Sequence, residues 1–511
     1  MHQLIKNGLF LSAFTVVSLP LSYFIRLYLS QHLSITDYGF FYALIGFFGL
    51  LQSFNDLGFS ETQIYFIPKY IAQERLDKIK AVLKTQLINQ LATTFLIGLL
   101  LHWCAPWVSQ TFFHTNHGTE IFRIFILFFI FNDFLQNVQI LFFSHQEIEF
   151  SGSFEPVRML LIALLLISSQ WFFQFDLYSL AWIWVSVYGF LAVMFFVIFL
   201  IKHQDVLRAP NYPIKNIYQE FIPFILPTLF SNNIATLFSK GTETVLVLVK
   251  GVTDTAYYNI AKPVSNLALA VTAPVANLLK PFISQIDENQ DKSIIKSLIL
   301  LVLNTGVFIF LPFSILLAIY ARESIIFLFG SKYVQATLTL RFMAFEIFFD
   351  VINTFVFGIV FGLGLQKKRA KVLYTASLIC FVLSMVLIPA FGPVGVAIAN
   401  LAYGSVGMMG AVYIIRQKIE FELPVKKYLL LLPLIGILVA SQAALMFLTS
   451  TQMPQQLIVV IVKVIIGLGV YYSVGIFVFH IIDISTIWNL LNLIVPTKFK
   501  HLLSLGKRQL M

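Results

Sequence analysis

Residues 178–201, YSLAWIWVSVYGFLAVMFFVIFLI, contain no charged side chain, and Lys202 stands at their end. At 1.5 Å per residue, a helix of this length reaches about 36 Å and crosses a hydrocarbon core of about 30 Å. The stretch therefore reads as a membrane-spanning helix. Similar runs lie at 8–29, 38–56, 85–104, 121–143, 156–174, 222–249, 255–280, 295–320, 335–364, 372–390, 394–415, 428–449 and 456–480. The chain is thus an all-α polytopic membrane protein of about 14 transmembrane helices.

Composition agrees, because 59% of the 511 residues are hydrophobic and 11% are charged. Soluble domains carry about 25% charged residues. Only short polar breaks separate the runs, which leaves no room for a soluble domain between them. Cys104 and Cys380, the only cysteines, lie far apart and suggest neither a disulfide framework nor a metal site. The apolar run after Lys6 is too long for a signal peptide, so it is taken as the first permanent span.

The net charge of +10 reflects topology rather than a nucleic-acid partner. Lys69, Arg75, Lys78 and Lys80 fall in one loop; Lys202, Arg208 and Lys215 in another; Lys292 and Lys296, then Lys367, Lys368, Arg369 and Lys371, in later ones. The intervening loops at 30–37, 105–120, 175–177, 391–393 and 450–455 contain no Lys or Arg. This alternation places both termini in the cytoplasm and the chain in the cytoplasmic (inner) membrane. The segment from 481 onward is too short and polar for a further span and reads as an interfacial helix.

TDYGFFYA at 36–43 has an echo, TDTAYYNI, about 217 residues later at 253–260. Arg123 and Asp133 find counterparts near the same offset in Arg341 and Asp350. The expected organisation is a six-helix lobe over 1–215, a second over 216–420 in parallel repeat, and a region over 421–511 with two extra transmembrane helices and a cytoplasmic or interfacial tail.

Ionisable side chains at membrane depth cost from about 2.5 kcal/mol upward, so they pair with one another or line a wet cavity. Those within or close to spans are Arg26, Arg123, Asp133, Lys240, Glu243, Lys262, Arg341, Glu346, Asp350 and Lys463. In LFSKGTETVLVLVK (237–250), Lys240 and Glu243 share a helix face and are expected to pair. Pro223, Pro227 and Gly241 predict a bend in that span. Glu346 and Asp350 share a face of the tenth span. The functional reading assigns Arg341, Lys240, Arg123, Arg26 and Lys262 to an anionic headgroup, and Glu243, Asp350, Asp133 and Glu346 to gating or ion coupling. The competing reading has Arg26, Arg123, Lys240 and Lys262 snorkel to the interface while the others pair across helices. For Lys463, in the extra C-terminal pair, packing or lipid contact is expected.

Catalysis and metal chemistry find little support. His102, His114, His117 and His145 lack metal-ligand spacing, and no Walker-type loop occurs. The longest loops, 57–84 and 202–221, have no Asp-x-Asp pair for a metal-bound sugar donor.

Several short motifs resemble the polysaccharide or O-antigen flippases of the MATE-like (MOP) exporter superfamily. They are Tyr38-Gly39 after the first span, Asp56-Leu57-Gly58-Phe59 before IPKYIAQERLDKIK, Asp254 to Ala261, and Lys280-Pro281-Phe282-Ile283-Ser284. FLFGSKYVQATLTLRFMA at 327–344 and the Gly392-Pro393-Val394-Gly395-Val396-Ala397 turn complete the set. Glu243 stands where that family often has Asp. The resemblance implies a MATE-like fold and a flippase that moves a polyprenyl-linked oligosaccharide to the outer leaflet by alternating access for cell-surface polysaccharide biosynthesis. It implies the lipid-linked glycan, membrane lipids and glycan assembly proteins as partners, no cofactor, and a Na+ or H+ gradient as the driving force. The alternatives are an ion-coupled drug or metabolite exporter of the MATE branch and, less in keeping with the short outer loops, a glycan polymerase or ligase.

Overall fold

The computed structural model describes residues 2–56, 58–115, 118–172, 175–284, 292–422, 425–449 and 457–478. The expected interfacial helix from 481, the 450–455 loop and His117 lie outside them. Among the described residues all regular structure is helical, as hydrocarbon demands of backbone groups that have no water to bond. Eleven helical segments are long and apolar enough to cross a membrane, and each coincides with a predicted span. The remaining predictions, 8–29, 222–249 and 255–280, fall on helical backbone as well. The protein is a multi-pass membrane protein.

The chain divides into two compact units. The first runs to Pro263 and includes Leu328–Ala336 and Ser377–Ala399. It holds α1 (His2–His32), α2 (Ile35–Asn55), α3 (Phe59–Ala72), α4 (Leu76–Trp107), α5 (Thr119–Ser144), α6 (Ile148–Phe172), α7 (Leu177–Lys202), α8 (Gln204–Arg208) and most of α9 (Ile214–Ser284). Helix starts follow capping chemistry. Ser34 Oγ accepts from the Asp37 amide at 3.0 Å to open α2, and Asp176 forms a capping box with Ser179 to open α7.

Phenylalanine fills the interior of this unit. Phe41, Phe48, Phe122, Phe125 and Phe129 are fully buried, with Phe48 stacked on Phe125 and Phe41 edge-on to Trp184 at 4.8 Å. Inside a bilayer, van der Waals contact rather than water exclusion holds helices together, and interdigitated rings supply much of it.

One feature departs from the sequence reading. The 57–84 loop contains α3, whose buried face carries Phe59, Gln63, Phe66 and Tyr70 at helical spacing. The backbone break in α9 lies at Gly251 (φ 79°), between the seventh and eighth predicted spans, while the lack of a side chain at Gly241 lets the Phe381 ring approach. The chain reverses at Gly251, so the seventh and eighth predicted spans form a hairpin, joined by an ion pair between Glu243 and Lys262.

At the Lys/Arg-rich end, α4 fastens the segment that enters α9. Lys78 pairs with Glu220, which also accepts from the Tyr70 hydroxyl. Lys80 donates to the Ala209 carbonyl at 2.6 Å and Lys84 to Asn211 at 2.9 Å. Burial works against ionisation of Glu220, but the hydrogen bonds from Lys78 and Tyr70 outweigh it and hold the carboxyl below its ordinary value.

The second unit comprises Val264–Phe327, Thr337–Ala376 and the chain from Asn400 onward. It contains the end of α9, α10 (Lys292–Ile319), most of α11 (Ala321–Phe329), α12 (Thr337–Gly362), the start of α13 (Gln366–Phe391), most of α14 (Pro393–Lys418), α15 (Val425–Leu429), α16 (Leu431–Thr449) and α17 (Leu457–Phe477). One core joins α10, α12 and α14 through Ile299, Leu303, Ile352, Val356, Ala411 and Ile415. A second core attaches the C-terminal pair to α10 through Phe308, Leu434, Leu438 and Tyr471. Tyr320 donates to Gln442 at 2.7 Å, and Gln442 in turn reaches the Lys463 carbonyl at 3.3 Å. A hydrogen bond between helices has no competing water in lipid, so Gln442 locks this pair in register.

The close approach of α2 to the Gly251 turn tests how tightly the first unit is built. A Cβ at Gly39 would lie 1.9 Å from the Val252 carbonyl oxygen. We expect Gly39→Ala to force these helices apart at a cost of about 1–3 kcal/mol. The measurement is the thermal unfolding midpoint of the purified protein, which should fall clearly, whereas Gly49→Ala, where the space is open, should leave it unchanged.

Candidate functional site

The first unit gathers charge around a group of tyrosines. Arg26, late in α1, lies with its guanidinium carbon 4.7 Å from the centre of the Tyr42 ring on α2. Tyr38 lies one turn earlier, and among the described residues its buried hydroxyl has no hydrogen-bond partner. The Tyr38 ring lies 4.7 Å from that of Tyr42 and 5.7 Å from that of Tyr333. Among the described residues, Arg26 Nη1 is buried with no hydrogen-bond partner. A guanidinium N–H turned into such a setting carries unspent bonding capacity.

Tyr333 belongs to the 3-10 turn Ser331–Ala336 within the FLFGSKYVQ motif. Gly330 (φ 93°) makes the sharp turn that precedes it. Lys332 then donates to the Leu33 carbonyl at 2.9 Å, and the Tyr333 hydroxyl reaches the Ser30 carbonyl at 3.4 Å. The motif thereby brings an aromatic ring and a lysine from far along the chain to the end of α1.

On the other side of Tyr42 lies the α9 hairpin. Tyr42, Gly46, Glu243 and Thr255 line one small cavity, so Tyr42 touches both the Arg26 guanidinium and the space beside the Glu243 carboxylate. Gly46 leaves room for that carboxylate, whose Oε2 would sit 4.0 Å from a Cβ there. Lys262 pairs with Glu243, and its ammonium lies 5.5 Å from the Tyr258 ring centre. Among the described residues, three cations (Arg26, Lys262 and Lys332), one carboxylate and four tyrosine rings thus share this region.

The TDYG and TDTA echoes meet here. Gly39 and Ala256, equivalent under the repeat offset, face each other, with a Cβ on Gly39 lying 3.0 Å from the Ala256 Cβ. Nearby, Gly392 (φ 54°) leaves space for Asp254. Burial pushes the Asp254 carboxyl up, and Lys250 opposes that shift.

The other expected residues fall elsewhere. Arg123 is exposed at the start of α5, and the side chain of Lys240 lies outside the described residues. In the second unit, Arg341 is exposed near the start of α12, while Glu346 and Asp350 are partly exposed further along it. Asp350 faces α14 where Gly404 leaves room, and Asn353 donates to the Gly404 carbonyl at 2.8 Å. Asp133 is buried in α5 among neutral side chains of α2 and α4. Glu243 is paired by Lys262 across the hairpin, a contact that the local spacing to Lys240 did not reveal.

Sequence reasoning overlooked Glu155 and Arg158 of α6. They form an ion pair, and Arg158 lies 5.2 Å from the Tyr188 ring centre. Glu155 lines a cavity of about 520 Å³ together with Ser18, Ser22, Gln139 and Ser151. The signal was present, since Arg158 stands two residues inside the predicted span at 156.

A family described as polysaccharide biosynthesis protein matches residues 29–338. An uncharacterised membrane protein of Methanocaldococcus jannaschii is 24% identical over 497 residues, covering 93% of this chain and 95% of its own length. Among solved structures, lipid II flippase MurJ in an inward closed conformation superposes with a TM-score of 0.71 at 15% identity, covering 92% of this chain and 98% of its own. An inward-facing multidrug resistance MATE family transporter of the MOP superfamily gives 0.60 at 13% identity, covering 79% and 98%. The fold is that of the MATE-like exporters.

Glu243 and Lys262 can be tested as a unit. Their side chains are 21% and 36% exposed, between the buried and surface regimes. We expect Glu243→Gln and Lys262→Met, each alone, to destabilise by about 1–2 kcal/mol, and the double variant to lose less than the sum. A double-mutant cycle on unfolding midpoints checks this, and strict additivity would contradict the pairing.

Proposed function

The chain belongs to the polysaccharide biosynthesis protein family, and on that premise we propose that it is a flippase for a polyprenyl-phosphate- or pyrophosphate-linked oligosaccharide. The observation that carries this reading is the cluster of Arg26, Lys262, Glu243 and the tyrosines in the first unit. A lipid phosphate is anionic, and a guanidinium donates to its oxygens in a paired, planar geometry that an ammonium cannot copy. The unpartnered Arg26 Nη1 supplies such a donor. Lys262 can exchange Glu243 for phosphate as a movable point charge. The faces of Tyr38, Tyr42, Tyr258 and Tyr333 suit the apolar C–H surface of sugar rings.

The balance of charge supports this substrate class. Among the described residues the cluster has three cations for one carboxylate, whereas an exporter of cationic drugs needs the opposite balance. Arg341 and Lys240 remain candidates for the headgroup, and Asp350 and Glu346 for gating. By the distribution of Lys and Arg, the protein resides in the cytoplasmic membrane with both termini inside the cell. The direction of transport is from the cytoplasmic to the outer leaflet by alternating access, beside the enzymes that assemble the glycan.

Arg26→Ala and Lys262→Ala should each lower cell-surface glycan by about tenfold or more, the loss of one charge-assisted contact, with protein abundance in the membrane unchanged. Surface glycan is read by labelling in a strain that depends on this gene. Normal glycan display in both variants, or drug efflux by the wild type in a pump-deficient host without glycan export, would overturn the reading.

A further inference from the structure

The Lys/Arg-rich end of the first unit holds a cavity apart from the cluster around Arg26. Helix α4 enters its predicted span at 85 with Lys80, Leu83, Lys84 and Leu87 on one face, since residues three and four apart line up along a helix. At the same spacing α5 places Phe134 and Val138, and α7 places Phe196 and Leu200. These faces meet around a cavity of about 170 Å³. Leu207 of α8 also lines it and is 40% exposed, which puts the edge of the cavity at the surface.

The lining is divided between charge and hydrocarbon. Apart from the two lysines, its polar members are Gln86, Gln90 and Asn137, and their amide nitrogens are committed within the protein. Gln86 donates to Asn137, Gln90 to Asp133 at 2.7 Å, and Asn137 to the Asp133 backbone carbonyl at 3.0 Å. The remaining walls are Leu, Val and Phe side chains. A slot so lined between helices suits a hydrocarbon chain, which gains dispersion contact along its length and leaves no polar group of its own unanswered.

The lysines give this slot a cationic mouth. Lys80 donates to the Ala209 carbonyl and Lys84 to the Asn211 side chain, and an ammonium with three N–H donors has capacity left after one such bond. Arg208 stands between Leu207, which lines the cavity, and Ala209, which receives Lys80. Among the described residues no carboxylate lines the cavity. Glu220 is taken by Lys78 and Glu147 by Lys202, and Asp205 of α8 is not among the walls. Basic groups at the end of a span, above an apolar slot between helices, complement a lipid that carries negative charge.

We propose that this cavity binds an anionic phospholipid of the leaflet at the Lys/Arg-rich end, with its phosphate on Lys80 and Lys84 and one acyl chain in the slot among α4, α5 and α7. A free phosphate would leave the apolar walls unfilled. A zwitterionic lipid would bring its own cation towards the lysines and Arg208. Because Lys80 and Lys84 also hold the segment that enters α9, a bound lipid braces that segment. Binding does not depend on the flippase reading.

The test is native mass spectrometry of the purified full chain, stripped of lipid and titrated with dioleoylphosphatidylglycerol or dioleoylphosphatidylcholine. Wild type should take up phosphatidylglycerol saturably, and about tenfold or more tighter than phosphatidylcholine. Lys80→Gln combined with Lys84→Gln should weaken phosphatidylglycerol by about tenfold or more and leave phosphatidylcholine unchanged. Leu200→Trp, which fills the slot and keeps both lysines, should weaken phosphatidylglycerol as well, and it decides the matter should the lysine variant fail to fold. Unsaturable uptake, equal wild-type affinity for the two lipids, or phosphatidylglycerol binding unchanged in either variant would overturn the site. Complete displacement of phosphatidylglycerol by equimolar polyprenyl phosphate would also overturn it, by giving the slot to an isoprenoid chain.

Discussion

In hydrocarbon a charge has no water to answer it, so each buried ionisable group must be matched by the protein or by what the protein binds. This constraint organises the first unit. Glu243 is answered by Lys262, and the pairing draws the two limbs of α9 into a hairpin about Gly251. Arg26 is answered by the face of the Tyr42 ring, which attracts a cation without cancelling its charge. A full carboxylate partner would have silenced Arg26. The aromatic setting instead keeps it available to an anion.

The same solvent sets how helices meet. With little hydrophobic drive between them, they gain by close approach, and glycine permits it. Gly39 admits the Val252 carbonyl, Gly395 the backbone of Leu387, Gly404 the Phe349 side chain and Gly410 that of Val372. Gly39 and Gly395 lie in the short motifs by which the chain resembles the flippases, and these motifs mark backbone contacts more than chemistry. The FLFGSKYVQ motif does both, since Gly330 turns the chain and Tyr333 joins the Arg26 cluster.

The sequence made the helices legible because an apolar run of membrane length has few other solutions. It also exposed most of the buried charges. Their partners were harder to read, because partnership is a property of packing. Lys240 is three residues from Glu243 and suggested a local pair, whereas the partner the structure shows is Lys262, which reaches Glu243 across the reversal at Gly251 between the seventh and eighth predicted spans. The helix Phe59–Ala72 was hidden in a loop because its basic residues spoke for topology and masked its amphipathic spacing. Asn55, Gln86, Gln90 and Thr94 escaped a search for charge because they carry none, although they define the environment of Asp133.

If Arg26 and Lys262 hold the phosphate of a lipid-linked glycan, the purified protein should move such a lipid on its own. The most direct measurement is reconstitution into vesicles containing a fluorescent polyprenyl-pyrophosphate oligosaccharide, with a membrane-impermeant quencher reporting which leaflet it occupies. Labelled lipid starting in the inner leaflet should become accessible to the quencher in vesicles with the wild-type protein, and remain protected in those with Arg26→Ala or Lys262→Ala. Equal protection in wild-type and protein-free vesicles, under both Na+ and proton gradients, would contradict the account.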